Sequence, residues 1–430
     1  MHDTIVALSS GALPAAIAVL RLSGPQALAA AGALAGDLPP DREARLRGLR
    51  DGAGALLDRA MVIVLRAPAT VTGEDMVELH LHGGRAVVRA VEAALVAIPG
   101  VRLAEAGEFT RRALMHGRTT LTEVEGLALL LAAESDAQRR SAHAMADGTL
   151  RRNIAMLQRE VLRLSARVEA LLDFSDEGDV TDDARVIAAI GAEAADLAVQ
   201  IRRRADTPTV DRLHAGFRVV LAGPPNAGKS SLLNALVDHE AAIVSDIPGT
   251  TRDRIAVPIS RGDYSYVLTD TAGIRSNTDD PIERMGIERS VRAIDEADLV
   301  LWLGDDAPVF PSVKILLVHA RADLPSRGAR PPDRVGVSVH DPASLDDLWC
   351  AINDAVTDFI PQQLDTAMNQ RQRALLLDAA RALEAGGGQT DAILLGEQLR
   401  GALGAFDRIT GAAGIEAMFD DLFSSFCIGK

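Results

Sequence analysis

The sequence predicts a multidomain chain: an α+β N-terminal domain, an all-α helical domain, and an α/β domain with a phosphate loop inserted into the helical one. Three observations carry this. Up to about residue 118, short strand-like runs alternate with glycine turns. From Leu121 to Leu172 proline vanishes, and apolar positions such as Leu150, Ile154, Leu157 and Val161 recur every three or four residues, the period of an amphipathic helix. From residue 216 to about 355 strand-like runs return, before helical texture resumes to the end. The expected segments are 1–118, 119–214, 215–355 and 356–430. Loop tips on a helical scaffold tolerate insertions, so the second and fourth would pack as one domain.

Each element has a local reason. Ile17–Leu20 and Met61–Leu65 read as buried strands. Met76 to His82 alternates apolar and polar residues, which marks a half-buried strand. Gly83-Gly84 ends it, and Ala86 to Ile98 reads as a helix stopped by Pro99-Gly100. Helix fills Leu121–Leu172, an acidic break covers Asp173–Asp179, and helix resumes to about Arg204. Phe217–Ala222, Val267–Thr269, Leu299–Leu303 and Lys314–Val318 read as strands. The last 70 or so residues read as helical, with a loop near Gly386-Gly387-Gly388.

Composition narrows the function classes. Of 430 residues, 48% are hydrophobic and 24% charged, which excludes a disordered chain. Lys and Arg total 45 against 60 Asp and Glu, a net charge of −15, so a generally basic nucleic-acid coat is excluded and only a local basic groove remains open. Two cysteines make no disulfide framework and suit a reducing cytoplasm. The uncharged run Thr4–Leu20 is short for a bilayer and lacks a positive flank, so no membrane span and no export are expected. The positive charge is nearly all arginine. Lysine stands only at 229, 314 and 430, which singles out sites where a compact ammonium is needed.

Lys229 lies in Gly223-Pro224-Pro225-Asn226-Ala227-Gly228-Lys229-Ser230. This fits G-x-x-x-x-G-K-[ST], follows a strand and opens a helix at Ser231. Backbone N–H groups and the helix N-terminus favour a polyphosphate there. Lys229 would reach the β/γ phosphates and Ser230 would ligate Mg²⁺. Asp270-Thr271-Ala272-Gly273 ends a later strand. Its aspartate can hold Mg²⁺ through water, and its glycine N–H can meet a γ-phosphate. Gly249-Thr250-Thr251-Arg252-Asp253 lies between them and suits a switch segment, with Thr251 on Mg²⁺. Order and spacing indicate a GTPase. The base-reading pattern Asn-Lys-x-Asp is degraded to Ala320-Arg321-Ala322-Asp323, of which Asp323 can still accept the two guanine N–H groups. Ser338-Val339-His340 stands where Ser-Ala-Lys is expected.

Taken with Asp3–Ala7, Thr72-Gly73-Glu74-Asp75, Gly107-Glu108-Phe109-Thr110-Arg111-Arg112-Ala113 and the terminal Phe426-Cys427-Ile428-Gly429-Lys430, these motifs resemble the MnmE (TrmE) family of tRNA modification GTPases along the whole chain. The resemblance implies a tetrahydrofolate-binding, dimerising N-terminal domain, a helical domain, and a Ras-like G domain inserted into it. It implies a homodimer acting on tRNA with the FAD-dependent MnmG (GidA) protein. The implied product is an aminomethyl or carboxymethylaminomethyl group on C5 of the wobble uridine, its one-carbon unit derived from folate. It further implies K⁺ held by Asn226, Ser245, Ile247 and Thr250, a catalytic Glu283, and folate contacts at Arg21, Glu78, Arg118 and Lys430. The segment between Leu303 and Lys314 is short for the family.

Each assignment has a plainer alternative. Asn226 could merely brace the loop, and Glu283 could be a first-turn helix glutamate. Ile274, which follows the Asp-Thr-Ala-Gly run, cannot orient water, which favours Glu283 as the group that does. Arg21, Glu78 and Arg118 could be solvated charges. Cys427 could be a nucleophile or a small buried residue. His80-x-His82 finds no completing ligand cluster. Arg139-Arg140, Arg151-Arg152 and Arg202–Arg204 fit tRNA phosphates and solvated helix faces equally. Other function classes remain: a GTPase switch in ribosome maturation, or a folate-dependent transferase regulated by its G domain.

Overall fold

The computed structural model of the protein describes residues 3–173, 183–238, 256–271, 291–306, 308, 313–360, 368–412, 426 and 429. The chain falls into two compact units, residues 1–128 with 404–430, and residues 129–403.

The first unit is built on a six-stranded sheet. Its strands are β1 (Thr4–Leu8), β2 (Ile17–Ser23), β3 (Ala44–Arg50), β4 (Leu56–Leu65), β5 (Met76–His82) and β6 (Val101–Leu103), in the order β3-β4-β5-β2-β1-β6. Neighbours are antiparallel except β1 and β6. The predicted alternation in β5 holds: Val77, Leu79 and Leu81 are buried, while Glu78, His80 and His82 face the other way. Helices α1 (Ala27–Ala35) and α2 (Arg85–Val96) close the apolar face, packing Ala30, Ala31, Val88 and Val91 against Leu20, Leu22 and Val62. Strands β1 and β3 and helix α1 carry no clear pattern: β3 is largely exposed and α1 is mostly alanine.

Helix α3 (Glu108–Met115) packs Phe109 with Ile5, Ala7 and Met76. It also carries Arg112, which is wholly buried and bonded to Asp3, Glu74 and Glu108 at 3.0–3.1 Å. Burying a guanidinium is costly unless carboxylates compensate it; both terminal nitrogens of Arg112 are paired, while its Nε has no partner among the described residues. Here the pairing ties the 72–75 turn to α3, and Ser23 bonds Thr72 at 2.7 Å and Glu74 at 2.8 Å from the other side. Helix α4 (Leu121–Leu131) adds a small cluster of Val124, Leu114 and Phe426.

In the second unit the helical stretch is divided. α5 (Asp136–Ala146) begins at a capping box of Ser135 and Gln138, and α6 (Thr149–Asp173) begins after Gly148, which has a φ of 79°. Capping side chains and a left-handed glycine satisfy helix ends that the apolar periodicity alone does not reveal. α7 (Asp183–Ala205) packs along α11 (Gln370–Gly387), and α12 (Ala392–Thr410) follows. The loop expected near Gly386-Gly387-Gly388 is found there: α11 ends at Gly387, Gly388 caps it, and α12 starts only at Ala392. A Cβ on Gly191 of α7 would stand 3.1 Å from the Gly386 carbonyl oxygen, so close backbone approach is what keeps side chains out there.

Between these helices the chain forms α8 (Asp211–Ala215) and a second six-stranded sheet: β7 (Phe217–Ala222), β8 (Ala256–Arg261), β9 (Tyr264–Asp270), β10 (Leu299–Trp302), β11 (Lys314–Ala320) and β12 (Val335–Val337). The order is β12-β11-β10-β7-β9-β8, all parallel but for the edge strand β8. α9 (Lys229–Asp238) and α10 (Pro342–Val356) supply Leu232, Leu233, Leu236, Leu348, Trp349 and Ile352 to its core. Strand β11 runs two residues beyond expectation, to Ala320, because it pairs with β12 through Val318, His319 and Ala320.

Candidate functional site

A parallel sheet of this kind binds ligands at the carboxyl ends of its strands. β7 ends at Ala222, and the 223–228 loop leads directly into α9. Lys229 is buried, and its ammonium donates to the carbonyls of Gly223 at 3.2 Å and Pro224 at 3.0 Å. Burial pushes its pKa down, and the nearby Asp270 carboxylate opposes this. Asn226 adopts a left-handed φ of 62°, unusual outside glycine. Ala227, Gly228, Ser230 and Ser231 complete the turn into the helix, whose first N–H groups have no partner within it.

Ser230 Oγ donates to Asp270 Oδ2. The other carboxylate oxygen, Asp270 Oδ1, is buried without a partner among the described residues. Thr271 locks this strand end by donating both its N–H (3.2 Å) and its hydroxyl (2.7 Å) to Leu221 O. A hydroxyl and a carboxylate converging beside a phosphate loop, with one oxygen unsatisfied, are the hard donors that suit Mg²⁺.

Next to the loop is a cavity of about 230 Å³ lined by Gly228, Ser231, Ala320, Arg321, Asp323 and His340. The Ser338 hydroxyl, first among its neighbours, holds the Asp323 carboxyl below the usual range. Ser338 is buried and its oxygen also accepts from His340 N at 3.1 Å. An ionised carboxylate with a fixed orientation can accept two adjacent N–H groups of a ligand. Arg321 has a φ of 59°, and its guanidinium lies against Gly228, where an added Cβ would be 3.4 Å from Nε. Nothing polar projects from Ala320.

In the first unit, Arg21 and Glu78 are register partners on β2 and β5 and form an ion pair at 2.8 Å. His80 approaches the second Glu78 oxygen at 3.2 Å. Burial pushes the Glu78 carboxyl up, but Arg21 and His80 hold it net below its usual value. Arg118 has a different partner, donating to Thr70 O at 3.2 Å beside a cavity of about 440 Å³. The chain terminus is seated in this same unit: Gly429 O accepts from Ser9 Oγ at 2.9 Å. A Cβ on Gly429 would fall 2.2 Å from Leu8 O, so only glycine fits there.

The sequence thus singled out Asn226 through Ser231, Asp270, Thr271 and Asp323, which the second unit brings around one loop and cavity, and Arg21 with Glu78, which the first unit pairs. Ser245, Ile247, Thr250, Thr251, Ala272, Gly273, Glu283, Cys427 and Lys430 lie outside the described residues. Sequence reasoning weighs His80 only with His82 as a metal-ligand pair and does not foresee its contact with Glu78 on the same strand, nor that of Ser9 with Gly429, which meet only in the fold. The arginine pairs largely resolve as surface ion pairs: Arg139 and Arg140 with Asp136, Arg152 with Asp147, Arg202 with Glu384.

Known proteins match along the same lines. Residues 4–118 match the family model of the GTP-binding protein TrmE N-terminus, and residues 121–427 that of the MnmE helical domain. The chain is 48% identical over 429 residues to a tRNA modification GTPase MnmE of Erythrobacter litoralis, with 100% of each chain covered. It is 49% identical over 432 residues to that of Rhizorhabdus wittichii, covering 100% of this chain and 97% of the relative. It is 47% identical over 438 residues to that of Novosphingobium aromaticivorans, again with 100% of both covered.

Proposed function

The chain belongs to the MnmE family of tRNA modification GTPases, and from that premise we propose that it hydrolyses GTP to drive C5 modification of the wobble uridine of tRNA. The modification adds an aminomethyl or carboxymethylaminomethyl group, with a folate-derived one-carbon unit and the FAD-dependent MnmG protein as partner. The observation that carries the GTPase reading is the contact of Ser230 with Asp270, whose second oxygen is left unsatisfied beside the phosphate loop.

In this reading Lys229 leaves its two carbonyl partners for the β/γ phosphates, and the N–H groups opening α9 cradle them. Ser230 and Thr251, with Asp270 through water, hold Mg²⁺, which neutralises phosphate charge when bound. Asp323 accepts the N1–H and N2–H of guanine, and the stem and plane of Arg321 cover the base. Glu283 orients the attacking water, a task Ile274 cannot perform. Asn226, Thr250 and the carbonyls of Ser245 and Ile247 hold K⁺, which supplies the positive charge that an arginine finger gives elsewhere, worth ~10³–10⁵ in rate.

Arg21, Glu78, Arg118 and Lys430 contact the folate in this proposal, with Cys427 serving the modification chemistry. The seating of Gly429 on Ser9 supports a role for the tail in the N-terminal unit. Exposed Ile17, Leu46 and Met61, on the sheet face opposite α1 and α2, support a homodimer. The test is a mass-spectrometric profile of wobble uridines in a deletion strain. Complementation by the intact gene should restore the modified base, and Cys427→Ser should not, while its GTPase stays intact. Unchanged uridines in the deletion strain, with altered ribosomal subunits, would overturn the reading in favour of a maturation switch.

A further inference from the structure

The base-reading loop has lost the side chain that ordinarily fills its interior: Ala320 brings no polar atom to the cavity. The loop is nonetheless tied down from outside. Arg327 donates Nε to Ala320 O at 3.1 Å and, with its two terminal nitrogens, makes a bidentate pair with Asp305 at 2.9 and 3.0 Å. Asp305 lies in the turn that follows β10. That turn is itself held by Arg334, a buried guanidinium that donates to the carbonyls of Gly304 and Asp305. Trp302 Nε1 donates to Asp306 O at 2.7 Å. The turn also abuts the phosphate loop, since a Cβ on Gly223 would lie 3.2 Å from Gly304 N. One turn therefore touches the start of the phosphate loop and, through Arg327, the end of β11 beside the base cavity.

We propose that Arg327 and Asp305 are positioning residues for nucleotide binding, a tie that fixes the base-reading loop against the phosphate loop in place of the amide missing at residue 320. A surface ion pair alone would carry little weight. Asp305 is exposed, but this pair is bidentate, its arginine is only 24% exposed, and the third guanidinium nitrogen, Nε, donates separately to the carbonyl at the end of the strand that positions Asp323. The Arg327 guanidinium holds the Asp305 carboxyl below its usual range, so the pair stays charged at neutral pH. The sheet and Ser338 hold Asp323 in any case; the tie adds a direct link between the end of β11 and the turn that abuts the phosphate loop, so that the two halves of the site keep one spacing.

The inference rests on the GTP reading and is tested in the full-length protein with fluorescent GTP and GDP analogues, plus inosine and xanthosine triphosphates as competitors. Arg327→Ala should weaken GTP and GDP alike by roughly tenfold or more and narrow the preference for guanine over xanthine. Arg327→Lys, which cannot hold both partners at once, should fall between. Adding Ala320→Asn to Arg327→Ala should restore most of the affinity, because an amide then ties the loop from inside. Thermal midpoints are recorded for each variant, and Asp305→Asn provides a second test that leaves Arg327 in place. Unchanged affinity in both Arg327→Ala and Asp305→Asn, or a lowered midpoint with unchanged affinity, would overturn the proposal while leaving the GTP reading intact. Failure of the unmutated protein to bind any guanine nucleotide would instead overturn the GTP reading.

Discussion

The phosphate half and the base half of the nucleotide site are held together by different means. The phosphate half keeps every motif residue that the structure describes: Asn226 to Ser231 turn out of β7 into α9, and Ser230 meets Asp270. The base half keeps Asp323 and Ser338 but has alanine and arginine at 320 and 321, and its loop is fastened by Arg327 and Asp305. The difference is instructive. A phosphate is gripped mainly by backbone N–H groups, whose geometry depends on one short loop, so that loop cannot drift. A base is read by side chains set at intervals along the strand ends, and support for them can be rebuilt from a neighbouring turn.

Breaking the stronger half should cost most. Lys229→Ala removes the buried ammonium at the head of α9, and phosphate release should fall at least ~10³-fold. A smaller loss than Asp323→Asn produces would reverse the ranking of the two halves. Glu283→Ala should slow single-turnover hydrolysis ~100-fold while GTP affinity stays within a few-fold. Near-normal turnover would remove Glu283 from the chemistry and leave the water unassigned. Asp323→Asn should exchange the guanine preference for xanthosine triphosphate, by ~10–100-fold in relative affinity, as expected for a charge-assisted hydrogen bond lost on one ligand and gained on the other. Competition titrations read this directly, and tight ATP binding by the unmutated protein would contradict it.

The smallest effect concerns the seat beneath the phosphate half. His214, in α8 just before β7, is half-buried with its Nε2 shielded and unpartnered among the described residues, and burial pushes its pKa down to about 4. The unfolded chain takes up the proton first as pH falls through ~6.5. Stability is therefore full above that pH and is lost as pH falls toward 4, by up to about 3 kcal/mol. Urea midpoints at pH 7 and pH 5 should show the fall, and His214→Gln should flatten it. An unchanged slope would mean that another group governs acid sensitivity.

Much of this was legible in the residues. β5 and β7 were found at their observed bounds, because period-2 alternation and an unbroken apolar run are local properties of a strand. The helices around residues 121–172 were recognised as helical but not as three. Their breaks depend on the Ser135 capping box and on Gly148, and apolar spacing runs on across both. β3 was missed because most of its side chains are exposed, so no face had to be apolar. The break near Gly386-Gly387-Gly388 was legible because glycine lowers helix propensity and ends helices, whereas the close approach of α7, which leaves no room for a Cβ at Gly191, was not.

The sequence by itself determined the phosphate loop, Asp270, Asp323 and the fold class, since each rests on residue types at short spacing that a single strand or turn must satisfy. Tertiary structure alone decided which of the many arginines matter and where. Arg112 is buried among three carboxylates, Arg202 pairs with Glu384 some 180 residues away, and Arg327 reaches Asp305 and Ala320. In a chain whose positive charge is nearly all arginine, composition cannot rank them. Only the folded distances do, because a guanidinium's effect depends on burial and on which carboxylate or carbonyl lies within a hydrogen bond of it.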